Sequence, residues 1–493
     1  MVFSSNIFLF AFFPLIFACY FALPQKFVKA KNILLLVASL FFYAWGEFVY
    51  LWLLLFSILG NYFFGIWICG GDKVDEIRGD DVSVKPVARA FLARSTKFSL
   101  ALIFNLALLL YFKYAGFIAQ NFSAIFGGEV NRSLLPNHLP IGISFFTFHA
   151  ISYLVDIYRH KSRAQRSFFA LALYISFFPQ LVAGPIVRYN FIEKYLTRRR
   201  QNWFLISYGA RRFIIGLGKK VIIANPLGEV ADAIFATQIT DITTPIAWLG
   251  ILCYTLQIYF DFSGYSDMAV GLARIFGLKF PENFNYPYIS KSIKEFWRRW
   301  HISLSAWFRD YVYIPLGGNR VSISRQYFNL VLVFFLCGLW HGASWNFVVW
   351  GLFHGLFLVF ERIEFVEKTL QKLPSLIQHF YAIFVVMIGW VFFRSADLTS
   401  ATSYLKLMFS FSSDEKIVIA SNILQLTNSH FVLTALGFAF IGFSPIVKNI
   451  SLKLMRKNKI FIAIFDGFLL LTFIFAIIRL SASTYNPFIY FQF

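Results

Sequence analysis

Charge is what this chain has least of. Only 14% of its 493 residues are Asp, Glu, Lys or Arg, against 58% hydrophobic residues, and the mean hydropathy is +0.65. A soluble core could not hide that much apolar surface, so the composition excludes a water-soluble fold and requires a polytopic membrane protein. Acid is scarcer still: 24 Asp and Glu stand against 45 Lys and Arg, a formal net charge of +21. The excess does not make a nucleic-acid binder, because the basic residues come in short clusters between apolar runs, as cytoplasmic loops do under the positive-inside bias. Cysteine is rare too. Cys19, Cys69, Cys253 and Cys337 lie far apart inside apolar segments and form no CxxC pair, which excludes a disulfide frame, and no His and Cys spacing suits a tetrahedral metal. No Gly-rich phosphate loop is present either. Acid–base chemistry is left to histidine.

What is there is organised around the stretch Phe296 to Phe360. From Leu330 to Phe360 no Asp, Glu, Lys or Arg occurs. A straight helix of that length would run to roughly 46 Å, well beyond a hydrocarbon core of about 30 Å. The break is expected between Gly338 and Asn346, where glycines flank His341. That histidine then sits at membrane depth on broken backbone, which is tolerated only around a cavity or inside protein. His301 and His354 are further candidates; on one continuous helix His341 and His354 would stand about 220° apart.

Upstream, Ile289, Ile293, Phe296, Trp300, Leu304, Trp307 and Tyr311 recur at steps of three and four, while Lys291, Lys294, Arg298 and Arg309 fall off that stripe. The spacing predicts one amphipathic helix along the interface, with His301 at the edge of its apolar face.

The motifs WRRWHISLSAWFRDYVYIPLGGNR and GLWHGASWN, together with LPIGISFFTF, LVAGPIVRY, YFDFSGYSDMA, the opening MVFSSNIFLF and the terminal FIYFQF, closely resemble the membrane-bound O-acyltransferase family, in its bacterial alginate O-acetylase type. The resemblance covers nearly the whole chain. It implies acyl transfer at a membrane-embedded tunnel, with His341 essential, His301 a second functional residue, and Tyr490 of FIYFQF accepting the acyl group and handing it to an extracytoplasmic SGNH-type partner subunit.

The remaining segments are read from their composition. Apolar spans are expected from Ile7 to Leu23, Ile33 to Trp45, onward to Gly70, and Phe98 to Phe112. Asp72 to Lys97 reads as a solvated connector, and Asn121 to Asn137 as an outer loop. LALYISFFPQLVAGPIVRYN carries Pro179, Gly184 and Pro185 and reads as a re-entrant or broken segment. His149 and Asp156 share a helix face just before it. Lys194 to Lys220 holds eight basic residues and no acid, an interfacial region that anchors the chain or attracts a donor phosphate. Asp261 and Asp267 bracket a glycine turn near membrane depth and must be paired, hydrated or protonated. They serve a structural network, or else tunnel polarity. Later spans are expected near Phe380 to Phe393, Phe431 to Phe443 and Ile460 to Ile478, leaving the tail outside.

The expected architecture is one all-α membrane domain over residues 1–493, with ten or eleven crossings plus re-entrant and interfacial helices around a tunnel. The expected function is an O-acetyltransferase of the bacterial inner membrane that moves acetyl from a cytoplasmic thioester, acetyl-CoA, toward an exported alginate-type polysaccharide or peptidoglycan. Beyond that donor no tightly bound cofactor or metal is expected. Partners are the SGNH-type subunit and membrane lipids. His341, His301 and Tyr490 are the catalytic candidates, and Trp340, Asn346, Asp261 and Asp267 the tunnel-lining ones. The competing reading is a proton-coupled transporter using the same buried His and Asp residues.

Overall fold

The computed structural model describes residues 1–69, 88–410, 429–483 and 485–488. All regular elements among them are helical. Among the described residues seven helices are long and apolar enough to cross a membrane, nine if each of two bent pairs is one span, and two shorter apolar helices, Phe8–Ala22 and Ile143–Tyr158, accompany them. Ten or eleven crossings are reached among these residues when both bent pairs and one or both shorter helices are counted as spans. Contacts divide the chain into two compact units, one of Met1, Ile7–Ile206 and Ala273–Phe280, the other of Val2–Asn6, Ser207–Leu272 and Pro281–Phe493.

The first unit holds α1 (Phe13–Ala22), α2 (Val28–Glu47), α3 (Leu51–Cys69), α4 (Ala88–Leu109), α5 (Ala115–Phe126), α6 (Ile143–Tyr158), α7 (Phe168–Ser176), α8 (Phe178–Leu181) and α9 (Tyr189–Thr197). The connector expected from Asp72 to Lys97 ends sooner than its charge suggested: α4 starts at Ala88, and the part before it lies outside the described residues. The segment with Pro179 and Gly184 is broken as expected, α7 stopping at Ser176 and α8 lasting four residues, all buried. Gly142, the N-cap of α6 at φ +78, packs against this segment; a Cβ there would lie 2.6 Å from the Leu181 carbonyl oxygen, so only glycine satisfies both backbone and space.

The second unit takes up α10 (Trp203–Gly218) from Ser207, then α11 (Asn225–Ala236) and α12 (Thr244–Ile275), whose last residues belong to the first unit. Two short helices follow, α13 (Ile293–Arg299) and α14 (Ile302–Phe308), then α15 (Ile323–His341), α16 (Trp345–Phe360), α17 (Glu364–Lys372), α18 (Ser375–Arg394) and α19 (Leu398–Met408). The last described helices are His430–Gly442, Ile446–Lys457 and Lys459–Ala482. On the last, Ile460, Ile464, Phe468, Leu471 and Ile478 are between 54% and 66% exposed, an apolar stripe suited to lipid.

Two expectations fail here. DFSGYSDMA makes no turn: α12 runs through it unbroken for 32 residues. Its Gly264 serves packing, since a Cβ there would stand 2.7 Å from the Gly216 carbonyl oxygen and one on Gly216 would stand 2.4 Å from that of Gly264. The stripe from Ile289 to Tyr311 is not one helix either. It breaks at His301, whose φ of +43 no continuing helix allows. The freed backbone is taken up by the preceding loop: Ile302 N–H donates to the Asn283 carbonyl and Asn285 N–H to that of Arg299, both at 2.9 Å.

Candidate active site

α15 and α16 form a hairpin whose turn, Gly342 to Ser344, falls where glycine and the length of the apolar run placed it. The two helices meet at Gly338 and Gly351 with no side chain between them. This delivers His341, the last residue of α15, into a small cavity lined by Ile258, Phe262, Trp300, His341, Trp350, Trp390 and Phe393. Its free space of about 10 Å³ has room for about one water molecule. His341 alone among these residues titrates, and its ring packs edge-on against Trp350 and Phe393, each with centroids 5.0 Å away. A single imidazole in an apolar, aromatic wall is the arrangement a general base needs: nothing else there competes for the proton.

His354 does not join it. It is fully buried and packs edge-on against the same Trp350 ring, 5.2 Å away. The hairpin break thus brings both histidines to one indole, which the angle on a continuous helix did not foresee.

His301 caps α14, 1% exposed. Its Nδ1 lies 3.0 Å from Asn283 Oδ1, which also accepts the Ser303 N–H at 3.2 Å and the Ser303 hydroxyl at 2.8 Å, while Asn283 Nδ2 donates to Ser266 Oγ at 3.0 Å. Its ring sits edge-on to Phe262 at 4.7 Å and to Trp340 at 6.1 Å. Burial pushes this imidazole down to about 3, so it is neutral at physiological pH. Trp340 also packs edge-on against His341, 4.8 Å away. It contacts both rings without lining the cavity.

The other candidates fall elsewhere. Asn346 donates to the Ser395 carbonyl at 2.7 Å, tying the start of α16 to the end of α18. Asp267 is clamped by Arg212 at 2.6 Å and Lys219 at 2.8 Å, and Arg212 reaches on to Glu282. Asp261 pairs with Lys220 at 2.8 Å, with both side chains almost wholly buried. Neither carboxylate lines the cavity. Part of the basic run from Lys194 to Lys220 is therefore turned inward as counter-charge. Lys220 also donates to the Pro487 carbonyl. It thereby helps to hold a C-terminal strap in which Tyr485 donates to Asp232 at 2.6 Å, Asn486 donates to the Ser4 carbonyl at 2.9 Å and Phe488 stacks on Tyr265 at 4.5 Å. Tyr490 lies outside the described residues.

Sequence reasoning missed Asn283, Lys220 and the aromatic wall. FPENFNYPY offered one hint: a polar loop of Glu and Asn between buried apolar stretches. The wall had none, because Trp350, Trp390, Phe393 and Phe262 read as ordinary core aromatics.

Residues 146–395, which include His301 and His341, match the model of the membrane-bound O-acyltransferase family. A Pseudomonas putida protein named Probable alginate O-acetylase is 40% identical over 100% of both chains. A peptidoglycan O-acetyltransferase of Helicobacter pylori is 37% identical over 93% of this chain and 90% of its own. A teichoic acid D-alanyltransferase of Bacillus subtilis is 34% identical over 49% of this chain and 65% of its own.

Proposed function

This chain belongs to the membrane-bound O-acyltransferase family, and from that premise we propose that it takes acetyl from acetyl-CoA at the cytoplasmic face of the inner membrane for O-acetylation of an exported envelope polysaccharide. As a multi-pass O-acyltransferase it must part the acetyl group from a carrier too polar to follow it. The observation that carries the reading is His341, the one titratable side chain in the aromatic cavity. Its neutral imidazole takes the proton of the attacking hydroxyl as the acyl C–O bond forms, and gives it to the thiolate released when the C–S bond breaks. The hydroxyl we assign is the phenol of Tyr490, which passes acetyl to an extracytoplasmic SGNH-type subunit, with alginate-type polysaccharide or peptidoglycan as final acceptor. The strap through Phe488 supports this, because it anchors the chain two residues short of Tyr490.

The ion pairs that hold Asp261 and Asp267, the carboxylates a proton-coupled transporter would titrate, weigh against the transport reading. The deciding experiment is His341→Ala in a deletion strain, with O-acetyl groups measured on the purified glycans. Acetylation should vanish while insertion and expression stay normal. Near-normal acetylation would remove His341 from the chemistry.

A further inference from the structure

Asn283 decides which nitrogen of His301 carries its proton. The Ser303 backbone N–H can only donate, so the Asn283 atom it meets at 3.2 Å is the amide oxygen, and the amide nitrogen is thereby turned to Ser266 Oγ. The same oxygen faces His301 Nδ1 at 3.0 Å. In a neutral imidazole Nδ1 must then be the N–H, and Nε2 is left with its lone pair. Nε2 is buried and has no hydrogen-bond partner among the described residues. An aromatic crowd around it, Phe262 and Trp340, supplies no counter-charge, and Asn283 and Ser303 are uncharged as well. The arrangement is also strained: a non-glycine residue at φ +43 persists only where surrounding contacts over-determine it. Here those contacts are the Asn283 carbonyl on Ile302 N–H and its side chain on both His301 and Ser303.

We infer that Asn283 is a positioning residue that holds His301 in the Nδ1–H tautomer, so that His301 meets substrate as a hydrogen-bond acceptor through Nε2. This rests on the reading of His301 as a functional residue of the acyltransferase. A neutral histidine in this tautomer cannot polarise a thioester carbonyl, which needs a donor. It can receive an N–H or O–H from the donor's carrier arm or from the acceptor.

Asn283→Asp keeps the oxygen that Ser303 N–H and His301 Nδ1–H need, so the fold is retained, but it sets a carboxylate beside the ring. That charge stabilises imidazolium and raises the His301 pKa, turning Nε2 into a donor as pH falls. Wild-type kcat/KM should show no acid limb from His301 above pH 5. In Asn283→Asp a new acid limb should appear at least one pH unit higher, falling about tenfold per unit below it. His301→Gln, which can offer an oxygen acceptor, should retain more activity than His301→Lys, which cannot. Nitrogen-15 NMR of labelled full-length protein in lipid, with the His301 signal identified by its loss in His301→Gln, should show Nδ1 protonated and Nε2 bare. An unprotonated Nδ1, or an Asn283→Asp profile identical to wild type while His301→Ala is inactive, would overturn the inference alone. Full activity in His301→Ala would overturn the underlying reading and the inference with it.

Discussion

Gly338 and Gly351 hold two helices in backbone contact one turn below His341: a Cβ on Gly338 would lie 2.2 Å from the Phe347 carbonyl oxygen and one on Gly351 would lie 2.3 Å from that of Phe334. No side-chain rotation relieves a clash with backbone. Gly338→Ala should therefore spread α15 from α16, cost about 1–3 kcal/mol of stability, and displace His341 from Trp350. Acetyl transfer should fall by more than the loss of folded protein accounts for, as judged by turnover per folded molecule against the thermal midpoint in detergent. Wild-type turnover would mean that the hairpin tolerates separation.

Lys220 and Asp261 test stability against delivery. Their side chains are 4% and 1% exposed, so Lys220→Met, which strands a buried carboxylate, should cost about 3–5 kcal/mol. Adding Asp261→Leu should recover most of that, because two apolar side chains replace a buried pair at little net cost. The double variant still lacks the Lys220 donor to the Pro487 carbonyl. It should melt near the wild-type midpoint yet acetylate glycan poorly. Equal acetylation would show that the strap needs no such anchor.

His301 should leave a mark on acid stability. Its folded pKa of about 3 lies below the ordinary histidine value of about 6.5, so the unfolded chain binds the extra proton between those values. The stabilisation is whole above pH 6.5 and is lost as pH falls toward 3, with a slope of about 1.4 kcal/mol per pH unit. Between pH 6.5 and 4.5 the thermal midpoint of wild type should drop faster than that of His301→Gln. Parallel curves would mean that water reaches the ring.

Tyr490→Phe keeps the ring and removes only the acceptor oxygen. A phenol near pKa 10 is easier to deprotonate than an aliphatic hydroxyl, and its ester is more reactive. Glycan O-acetylation should be lost with insertion unchanged, and the wild-type C-terminal peptide should gain one acetyl in mass when the partner subunit is missing. Full acetylation in Tyr490→Phe would return the tail to an anchoring role.

The scarcity of charge, the spacing of apolar runs and the lone histidine among glycines were enough to place this chain in a membrane, to make it all-helical and to break the run after His341. Each of these follows from the medium a residue must meet, and neighbours in sequence record that. The helix break at His301 could not be seen, because the apolar stripe from Ile289 to Tyr311 runs through it without a missed step. The break depends on Asn283, 18 positions away. Gly264 in DFSGYSDMA was misread for the same reason: a glycine looks like a turn until Gly216 is found against it. Asp267 and Arg212 are 55 residues apart, and only the fold could decide that Asp261 and Asp267 are held in ion pairs and that His341 is the one titratable side chain lining the cavity. A local pattern limits which partners a buried polar group can accept, but the choice among them is made by packing, which brings distant segments within the 3 Å that a hydrogen bond requires.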